Sequence, residues 1–418
     1  MNIAKYRESR RHSITEGAWW SVQNGCGDNY LTAFFEFLGF KASIISFIVT
    51  FPVLFGSIIQ TYILKKFFRS ESKKFTILTL CVMQGMCWPA LLLAGYLDNA
   101  LIMVIVVMII YNSVVAAQEP PWRAWMGSIV PRPIRGKYFG IRLSISGIVL
   151  LVSITLAGIV LDNFSSSGSY TGFVIIFCLA LMGRMISLRY WNKMTEPKNN
   201  YKEKEEDISS FSQDQSVYLK FMVLYQFSVN IIVPLWAVYF LRDIKFSYLE
   251  YSYILVSGNF VGIASHYFWG RFIDKYRSEL AAILGGWIMV FMPVLWYVLF
   301  YLSVEIQLIY SIVLFSIASF AAAGANLGLN NWILDIHDHK DVIPFSTRMV
   351  RYRGMAIFLG GIIGGGLTML SVPAGNTVIP IGSSMHYAIF GSSIMRLISM
   401  VVITRSIKIF RKNSNENS

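Results

Sequence analysis

One acidic residue, Asp28, lies near the middle of the first long apolar stretch of the chain. An ionisable side chain inside a membrane-length segment is costly to keep there and usually serves a function. At helical spacing, its face also carries Trp20, Asn24, Leu31 and Phe35. A face with a carboxylate, an amide and aromatic rings suits a cavity for a small solute. The carboxylate then takes part in proton or substrate coupling, or it pairs with an arginine inside the membrane.

Two arginines in similar segments are the next candidates. Arg184 begins RMISL in the first half of the chain, and Arg396 begins RLISM in the second half. A guanidinium group can bind an anionic substrate through two parallel hydrogen bonds. It can also hold its own half together by pairing with a carboxylate or with helix-end carbonyls. The recurrence in both halves favours this structural role.

Amide and aromatic side chains supply further polar groups within the apolar stretches. They are Tyr111, Asn112, Gln226, Asn230, Trp236, Asn259, His266, Asn326 and Asn330. Buried amides often join helices through hydrogen bonds worth only ~0.6 kcal/mol each, so a single one is weak evidence of a site. We expect Asn112, Asn230, Trp236, Asn259 and Asn326 to line one solute site with Asp28.

Charged residues at the predicted cytoplasmic helix ends form a second group, with a role in gating. Glu119 and Arg123 flank Pro120-Pro121 and form either a salt bridge or a pair of solvated loop charges. Arg142 and Arg348 occupy similar places in the two halves and are interpreted as interfacial or gating charges.

Motifs of other chemistries are missing from the sequence. Asp335, His337, Asp338 and His339 are metal-ligand types, but their spacing fits no defined site, so a solvated loop is preferred. There is no phosphate-binding glycine loop followed by lysine, no HExxH pair and no nucleophile elbow. We therefore expect no metal site, no cofactor and no ATP-driven step. The scattered carboxylates argue against an enzyme.

The composition is that of a polytopic membrane protein. Of the 418 residues, 55% are hydrophobic and 14% are charged, whereas soluble domains carry about 25% charged residues. The apolar runs are continuous, as in Leu101 to Ile110, which excludes the alternating pattern of a membrane β-barrel. A bilayer-spanning helix needs roughly 20 apolar residues, so the sequence predicts an all-α protein with twelve transmembrane helices. Their ranges are 15–38, 43–66, 75–96, 99–118, 138–161, 170–192, 217–241, 247–272, 280–301, 306–330, 352–372 and 383–405. The prolines after the fourth helix predict a separate short interfacial helix there.

The net charge of +13 is explained by where the basic residues fall. Lysine and arginine cluster in both tails and in every second loop. This positive-inside pattern places both termini in the cytoplasm and the protein in the inner (cytoplasmic) membrane, with no need for a nucleic-acid partner. The highly charged stretch 195–216 is predicted to be a cytoplasmic linker between the halves 1–194 and 217–418.

Four short matches between the halves indicate two parallel six-helix repeats. They occur in the same order, at offsets of 206 to 212 residues. The pairs are Arg69-Ser70-Glu71 with Arg277-Ser278-Glu279, Trp125 with Trp332, Tyr138–Arg142 with Pro344–Arg348, and Arg184–Leu188 with Arg396–Met400.

With two such halves the chain resembles the major facilitator superfamily. That family has a motif after the second helix of a half: a glycine, an aspartate four residues later, and then basic residues. The second half follows it in part, with Gly270, Asp274, Lys275 and Arg277, while the first half has Tyr62 and Lys66 in place of the glycine and aspartate. The resemblance implies that Asp274 helps to close the cytoplasmic side through charged contacts. The Gly-Pro motif of drug antiporters is missing from the fifth helix, which disfavours a multidrug antiporter.

The sequence thus predicts a secondary active transporter that moves a small solute across the cytoplasmic membrane by alternating access, coupled to protons or sodium. The expected partners are a small-molecule substrate and the lipid bilayer, and the expected state is a monomer. One alternative is an efflux pump for drug-like or lipid-like compounds. Another is a non-transporting membrane sensor on the same fold.

Overall fold

The computed structural model describes residues 3–68, 73–97, 99–131, 134–165, 170–196, 212–335, 342–372 and 381–416. Over these ranges the regular structure is helical and includes no strand, as the continuous apolar runs predict. Among the described residues, nine helical segments are long and apolar enough to cross a membrane. The first, eighth and eleventh predicted spans also form helices but are not among these nine.

The described part of the first half forms seven helices and one 3-10 turn. They are α1 (Ile3–Cys26), the turn Asp28–Tyr30, α2 (Leu31–Phe37), α3 (Ala42–Phe68), α4 (Lys73–Ala94), α5 (Ala100–Ile129), α6 (Arg135–Ser165) and α7 (Thr171–Lys193). The buried face of α7 shows why these segments are helical. It contains Phe173, Phe177, Ala180 and Arg184, at intervals of three and four residues.

The described part of the second half continues in the same way. It comprises α8 (Gln213–Asn230), a 3-10 turn (Val233–Leu235), α9 (Trp236–Val238), a π-helical turn (Tyr239–Asp243), α10 (Tyr248–Lys275), α11 (Ser278–Leu299), α12 (Val304–Asp335), α13 (Val342–Leu367) and α14 (Met385–Glu416). Ser212 caps the start of α8, and its side chain accepts a hydrogen bond from the backbone N–H of Gln215.

Helix α5 corrects the prediction that a separate interfacial helix follows the fourth span. It runs without interruption through Pro120-Pro121 to Ile129. A proline inside a helix costs about 3 kcal/mol. Beyond the prolines, however, Trp125 and Met126 pack in a buried cluster with Trp191. We infer that this tertiary packing outweighs the local preference for a break.

The first helix of each half is interrupted. Helix α1 ends at Cys26, and the chain continues after Gly27 as a 3-10 turn and then α2. Helix α8 ends at Asn230 and is likewise followed by a 3-10 turn. The two breaks occur at similar points of the two halves, and each lies beside a partly buried polar side chain, Asp28 in the first half and Asn230 in the second.

The helices group into two compact units. The first unit comprises Met1–Gly39, Phe51–Glu203 and Phe246–Ser252, and the second comprises Phe40–Thr50, Lys204–Lys245 and Tyr253–Ser418. The start of α3 therefore clusters with the second unit, and the start of α10 with the first.

Within the second unit, α13 packs through glycine. A Cβ atom at Gly364 would collide with the carbonyl oxygen of Ile231 at the break in α8, and one at Gly361 would collide with the Thr50 side chain. A Cβ atom at Gly366 would meet no atom within 4 Å. The first two glycines thus allow helix contacts that no other residue permits.

Candidate functional site

The break in α1 places Asp28 in a 3-10 turn. Gly27 is needed before it because Trp88 of α4 packs so closely that a Cβ atom at residue 27 would collide with the indole ring. After the turn, the Tyr30 hydroxyl donates a hydrogen bond to the carbonyl oxygen of Ile154 at 2.8 Å. Asp28 lies between these two fixed points and is partly exposed.

The Asp28 carboxylate accepts two side-chain hydrogen bonds. The Tyr111 hydroxyl donates to Oδ1, and Asn24 Nδ2 donates to Oδ2 at 3.2 Å. Asn29 Nδ2 in turn donates to Asn24 Oδ1 at 2.9 Å. Both carboxylate oxygens are therefore engaged as acceptors, and Asn24, predicted as a site residue, contacts Asp28 directly.

Tyr111 continues this contact towards a buried arginine. Its hydroxyl accepts hydrogen bonds from Gln23 at 3.0 Å and from Gln84 at 3.1 Å. Gln84 Oε1 accepts from Gln118 Nε2 at 3.1 Å, and Gln118 Oε1 accepts from Arg184. Arg184 is 1% exposed, and it forms no ion pair with a described carboxylate.

We call Arg184, Gln118, Gln84, Tyr111 and Asp28 the amide chain. Every hydrogen bond in it is donated in the direction from Arg184 to Asp28, because a guanidinium only donates and a carboxylate only accepts. Hydrogen bonds aligned in this way polarise and strengthen one another. Asp28 thus has an intramembrane arginine as its partner through the chain and still presents its carboxylate at the helix break.

Sequence reasoning missed two members of this chain. Gln84 and Gln118 belong to separate helices, α4 and α5, and a single amide in an apolar span usually joins helices without further function. Their meeting depends on how α4, α5 and α7 pack, which no local pattern predicts.

A second buried carboxylate, Glu16 of α1, was also missed. Its Oε2 lies 2.8 Å from Nη2 of Arg142 in α6, and its Oε1 accepts a hydrogen bond from Ser187 of α7 at 3.2 Å. The Arg142 guanidinium also lies 5.0 Å from the centroid of the Trp122 ring. These contacts join four helices of the first unit, α1, α5, α6 and α7, and Arg142 takes part in two of them. Glu16 was not predicted as a site residue because charged residues are common near the ends of membrane spans.

In the second unit, Arg396 binds a backbone carbonyl. Its Nη1 donates to the Met289 carbonyl oxygen at 2.8 Å. Pro293 follows four residues later inside α11, so this carbonyl lacks the N–H that a regular helix would supply. Arg396 Nε is buried without a hydrogen-bond partner among the described residues.

Asn230 and Trp236 flank the break in α8. Asn230 Nδ2 donates to the carbonyl oxygen of Gln226 at 2.7 Å. The Trp236 ring stacks on Phe240 at 5.9 Å between centroids and packs against Trp296 at 5.2 Å. This break therefore carries amides and aromatic rings where the break in α1 carries a carboxylate.

The other residues predicted for the solute site make no side-chain hydrogen bond to the amide chain in the part of the protein that the structure describes. Trp20 is 40% exposed, and Asn326 is exposed. Asn112 and Asn259 each donate to a carbonyl oxygen of their own helix, at 3.0 and 2.8 Å.

The partial family motif lies at the exposed end of α10. A Cβ atom at Gly270 would meet no atom within 4 Å. Asp274 and Lys275 are exposed, and no ion pair joins Asp274 to a described basic side chain. Arg277 makes a 3.4 Å ion pair with Glu279 and is itself largely exposed.

The remaining gating candidates are less fully described. Glu119 is exposed and Arg348 is half-buried. The side chain of Arg123 and the loop residues 336–341 lie outside what the structure describes. Among the described residues, no group of three or more His, Cys, Asp or Glu side chains could hold a metal ion.

Membrane-length helices that enclose charged side chains define a polytopic membrane protein. Residues 29–343 match the model of the Major Facilitator Superfamily. The chain belongs to this family, and it is a transporter rather than an enzyme.

Solved transporters share the fold at low sequence identity. The crystal structure of the nucleoside transporter NupG is 12% identical with a TM-score of 0.73, and the match covers 95% of this chain and 99% of that one. An inward-facing bacterial homologue of the iron transporter ferroportin is 9% identical with a TM-score of 0.75, covering 95% and 98%. The partially occluded, inward-open xylose transporter XylE from E. coli is 11% identical with a TM-score of 0.67, covering 96% and 98%. A search of curated proteins finds no significant match.

Proposed function

We propose that the protein is a secondary active transporter that moves a small solute across the cytoplasmic membrane by alternating access. In this proposal Asp28 is the carboxylate linked to a coupling ion or to the solute. The observation that carries it is the position of Asp28 at a helix break, partly exposed and joined to Arg184 through the amide chain.

Interrupted helices support a transport site at this place. Where a membrane helix is broken, its backbone and polar side chains become available to substrates and coupling ions. In this chain the first helix of each half is broken, and the two breaks carry Asp28 and Asn230. The amide chain keeps the Asp28 carboxylate in place, and its partial exposure lets it meet a ligand.

The relatives with solved structures support a transport function but do not identify the transported solute. They are described as a nucleoside transporter, a bacterial homologue of an iron transporter and a xylose transporter, and these names have little substrate chemistry in common. Efflux of an amphipathic compound is the second candidate, favoured by the aromatic cluster of Trp236, Phe240 and Trp296 beside the break in α8.

Ion-coupled transport can be tested in proteoliposomes that contain a pH-sensitive dye or, for the sodium gradient, a sodium-sensitive dye. Solutes of several classes are added with an imposed proton gradient and, separately, with a sodium gradient. We expect one class to drive ion movement through the wild type. We expect Asp28→Asn to abolish this movement and Glu305→Gln to retain it, because Glu305 is an exposed carboxylate at the start of α12.

The direction of solute accumulation then separates uptake from efflux. Coupled movement that persists in Asp28→Asn would exclude Asp28 from coupling. If no solute moves under either gradient, the proposal of proton- or sodium-coupled transport fails.

A further inference from the structure

We propose that the solute carries an oxyanion, a carboxylate or phosphate group, and that Arg396 binds it. The inference rests on the proposed transporter function and adds the chemical class of the substrate. It starts from the state of the Arg396 guanidinium in the second unit.

Arg396 carries a buried positive charge, and its guanidinium has few hydrogen-bond partners. It is 3% exposed and lies at the midpoint of the span Met385–Ile407. A guanidinium has five N–H donors. One nitrogen of Arg396 donates to the Met289 carbonyl, while Nε is buried without a partner among the described residues. Keeping a charge in such a place is strongly unfavourable unless an opposite charge comes close.

Among the described residues of the second unit, no Asp or Glu lies near the middle of a membrane-length helix. Each of its described Asp and Glu residues lies within one residue of an end of its helical element: Asp214, Asp243, Asp274, Glu279, Glu305, Asp335 and Glu416. In the first unit, by contrast, Arg184 is joined to Asp28 through the amide chain. The asymmetry leaves Arg396 as the buried cation that needs an external anion.

Arg396 also lies close to the break in α8. On the same face of α14, Ser392 donates to the Ser228 carbonyl oxygen at 2.8 Å and Ser399 donates to the Leu224 carbonyl oxygen at 3.3 Å. Arg396 falls between them at helical spacing. Its side chain therefore starts beside the last turns of α8, next to the break that follows Asn230.

A purely structural role accounts for only part of this arrangement. The carbonyl that Pro293 leaves free needs a donor, and Arg396 provides one. A neutral amide could do the same without a buried charge. A lipid headgroup is also a poor partner, because headgroups lie at the membrane surface and Arg396 lies at the middle of its span. An oxyanion on a transported solute fits both the charge and the depth, since a guanidinium binds carboxylate or phosphate with two hydrogen bonds.

The first test is thermal unfolding of the purified protein in detergent without added solute. We expect Arg396→Gln to unfold at or above the wild-type temperature, because it removes an unbalanced charge. Arg184→Gln should unfold below the wild type, because it leaves Asp28 without its partner. Arg405→Gln, an exposed arginine on the same helix, should leave the temperature unchanged. A loss for Arg396→Gln as large as that for Arg184→Gln would overturn the proposal in favour of a structural cap.

The second test uses acids paired with neutral analogues: benzoate with benzamide, nicotinate with nicotinamide, and glycerol phosphate with glycerol. A ligand that binds the folded state raises its unfolding temperature in a concentration-dependent way. We expect at least one acid, and not its neutral analogue, to stabilise the wild type and Arg405→Gln. Arg396→Gln should lose this shift, and Arg396→Lys should keep part of it.

The anion inference and the transporter proposal can fail separately. If neutral analogues stabilise the wild type as much as the acids do, or if no acid stabilises it, the anion inference is wrong. A neutral solute whose ion-coupled movement requires Asp28 would leave the transporter proposal standing while excluding an oxyanion.

Discussion

At the scale of residues, the amide chain joins two opposite charges that do not touch. A hydrogen bond to a charged group contributes roughly 1.5–3 kcal/mol, and a neutral one about half of that. Removing a residue from the middle of the amide chain should lower the stability more than this, because the polar groups of its two neighbours are then left buried without hydrogen-bond partners. Tyr111 is such a member, since its hydroxyl contacts Asp28, Gln23 and Gln84.

Replacing Tyr111 with Phe should therefore destabilise the protein by about 1–3 kcal/mol. The measurement is denaturant unfolding of the purified protein in detergent. Tyr253→Phe is the matched control: Tyr253 is 42% exposed, so its change should stay within about 0.5 kcal/mol. Equal stability of the two variants would contradict a stabilising role for the amide chain.

The sequence predicted part of this site. Asp28 and Arg184 were predicted as site residues because ionisable side chains are rare in apolar spans. Their connection could not be predicted, because Gln84 and Gln118 acquire their meaning from the packing of separate helices. Glu16 was missed because a charge near a span end is ordinary in sequence, and its burial is visible only in three dimensions.

At the scale of elements, the break in α8 is packed against the glycines of α13. The Ile231 carbonyl at the break in α8 is covered by Gly364 of α13, with no side chain between the two backbones. A methyl group at this point has no space, and the contact involves backbone atoms that cannot rotate away. The break in α8 therefore depends on a single glycine of another helix.

Gly364→Ala should destabilise the protein by about 1–3 kcal/mol through overpacking. Gly366→Ala, in the same helix, should be neutral or stabilising by up to about 1 kcal/mol, because alanine favours a helix over glycine and a Cβ atom there meets no atom within 4 Å. The amount of monodisperse protein after extraction and its unfolding temperature would measure the difference. A Gly364→Ala variant as stable as Gly366→Ala would show that α13 can move away from α8.

The helical elements were largely predictable, and the exceptions have physical causes. Long apolar runs predicted the helical fold because a buried backbone must satisfy its own hydrogen bonds. The break after Cys26 was not predicted, although Gly25 and Gly27 flank that residue, since glycine is common in membrane helices. At the break, residue 27 has to be glycine because the indole ring of Trp88, which comes from another helix, occupies the place of a Cβ atom. The continuity of α5 through Pro120-Pro121 likewise follows from tertiary packing.

At the scale of the whole molecule, the orientation in the membrane is predicted by charge alone. The basic residues occur in both tails and in alternate loops, and such residues stay on the cytoplasmic side. The stretch 195–216 between the halves belongs to this side in the same pattern. Its position relative to the membrane can be measured without knowing the solute.

A protease site inserted between residues 204 and 205 should be cut in inside-out vesicles and protected in right-side-out vesicles. The reason is the predicted cytoplasmic location of the stretch 195–216. The same site placed in the loop at residue 303, between α11 and α12, should show the opposite pattern. Cleavage of the first site in right-side-out vesicles would contradict the predicted cytoplasmic location of both termini.

The amide chain also bears on how a proton could travel. A guanidinium keeps its protons at ordinary pH, and a carboxamide cannot pass a proton along without changing into an unfavourable tautomer. The hydrogen bonds that run from Arg184 through Gln84 and Tyr111 therefore do not conduct protons to Asp28. A proton that reaches the carboxylate would therefore come through water at the partly exposed side of Asp28, next to Asn24, and not through the amide chain.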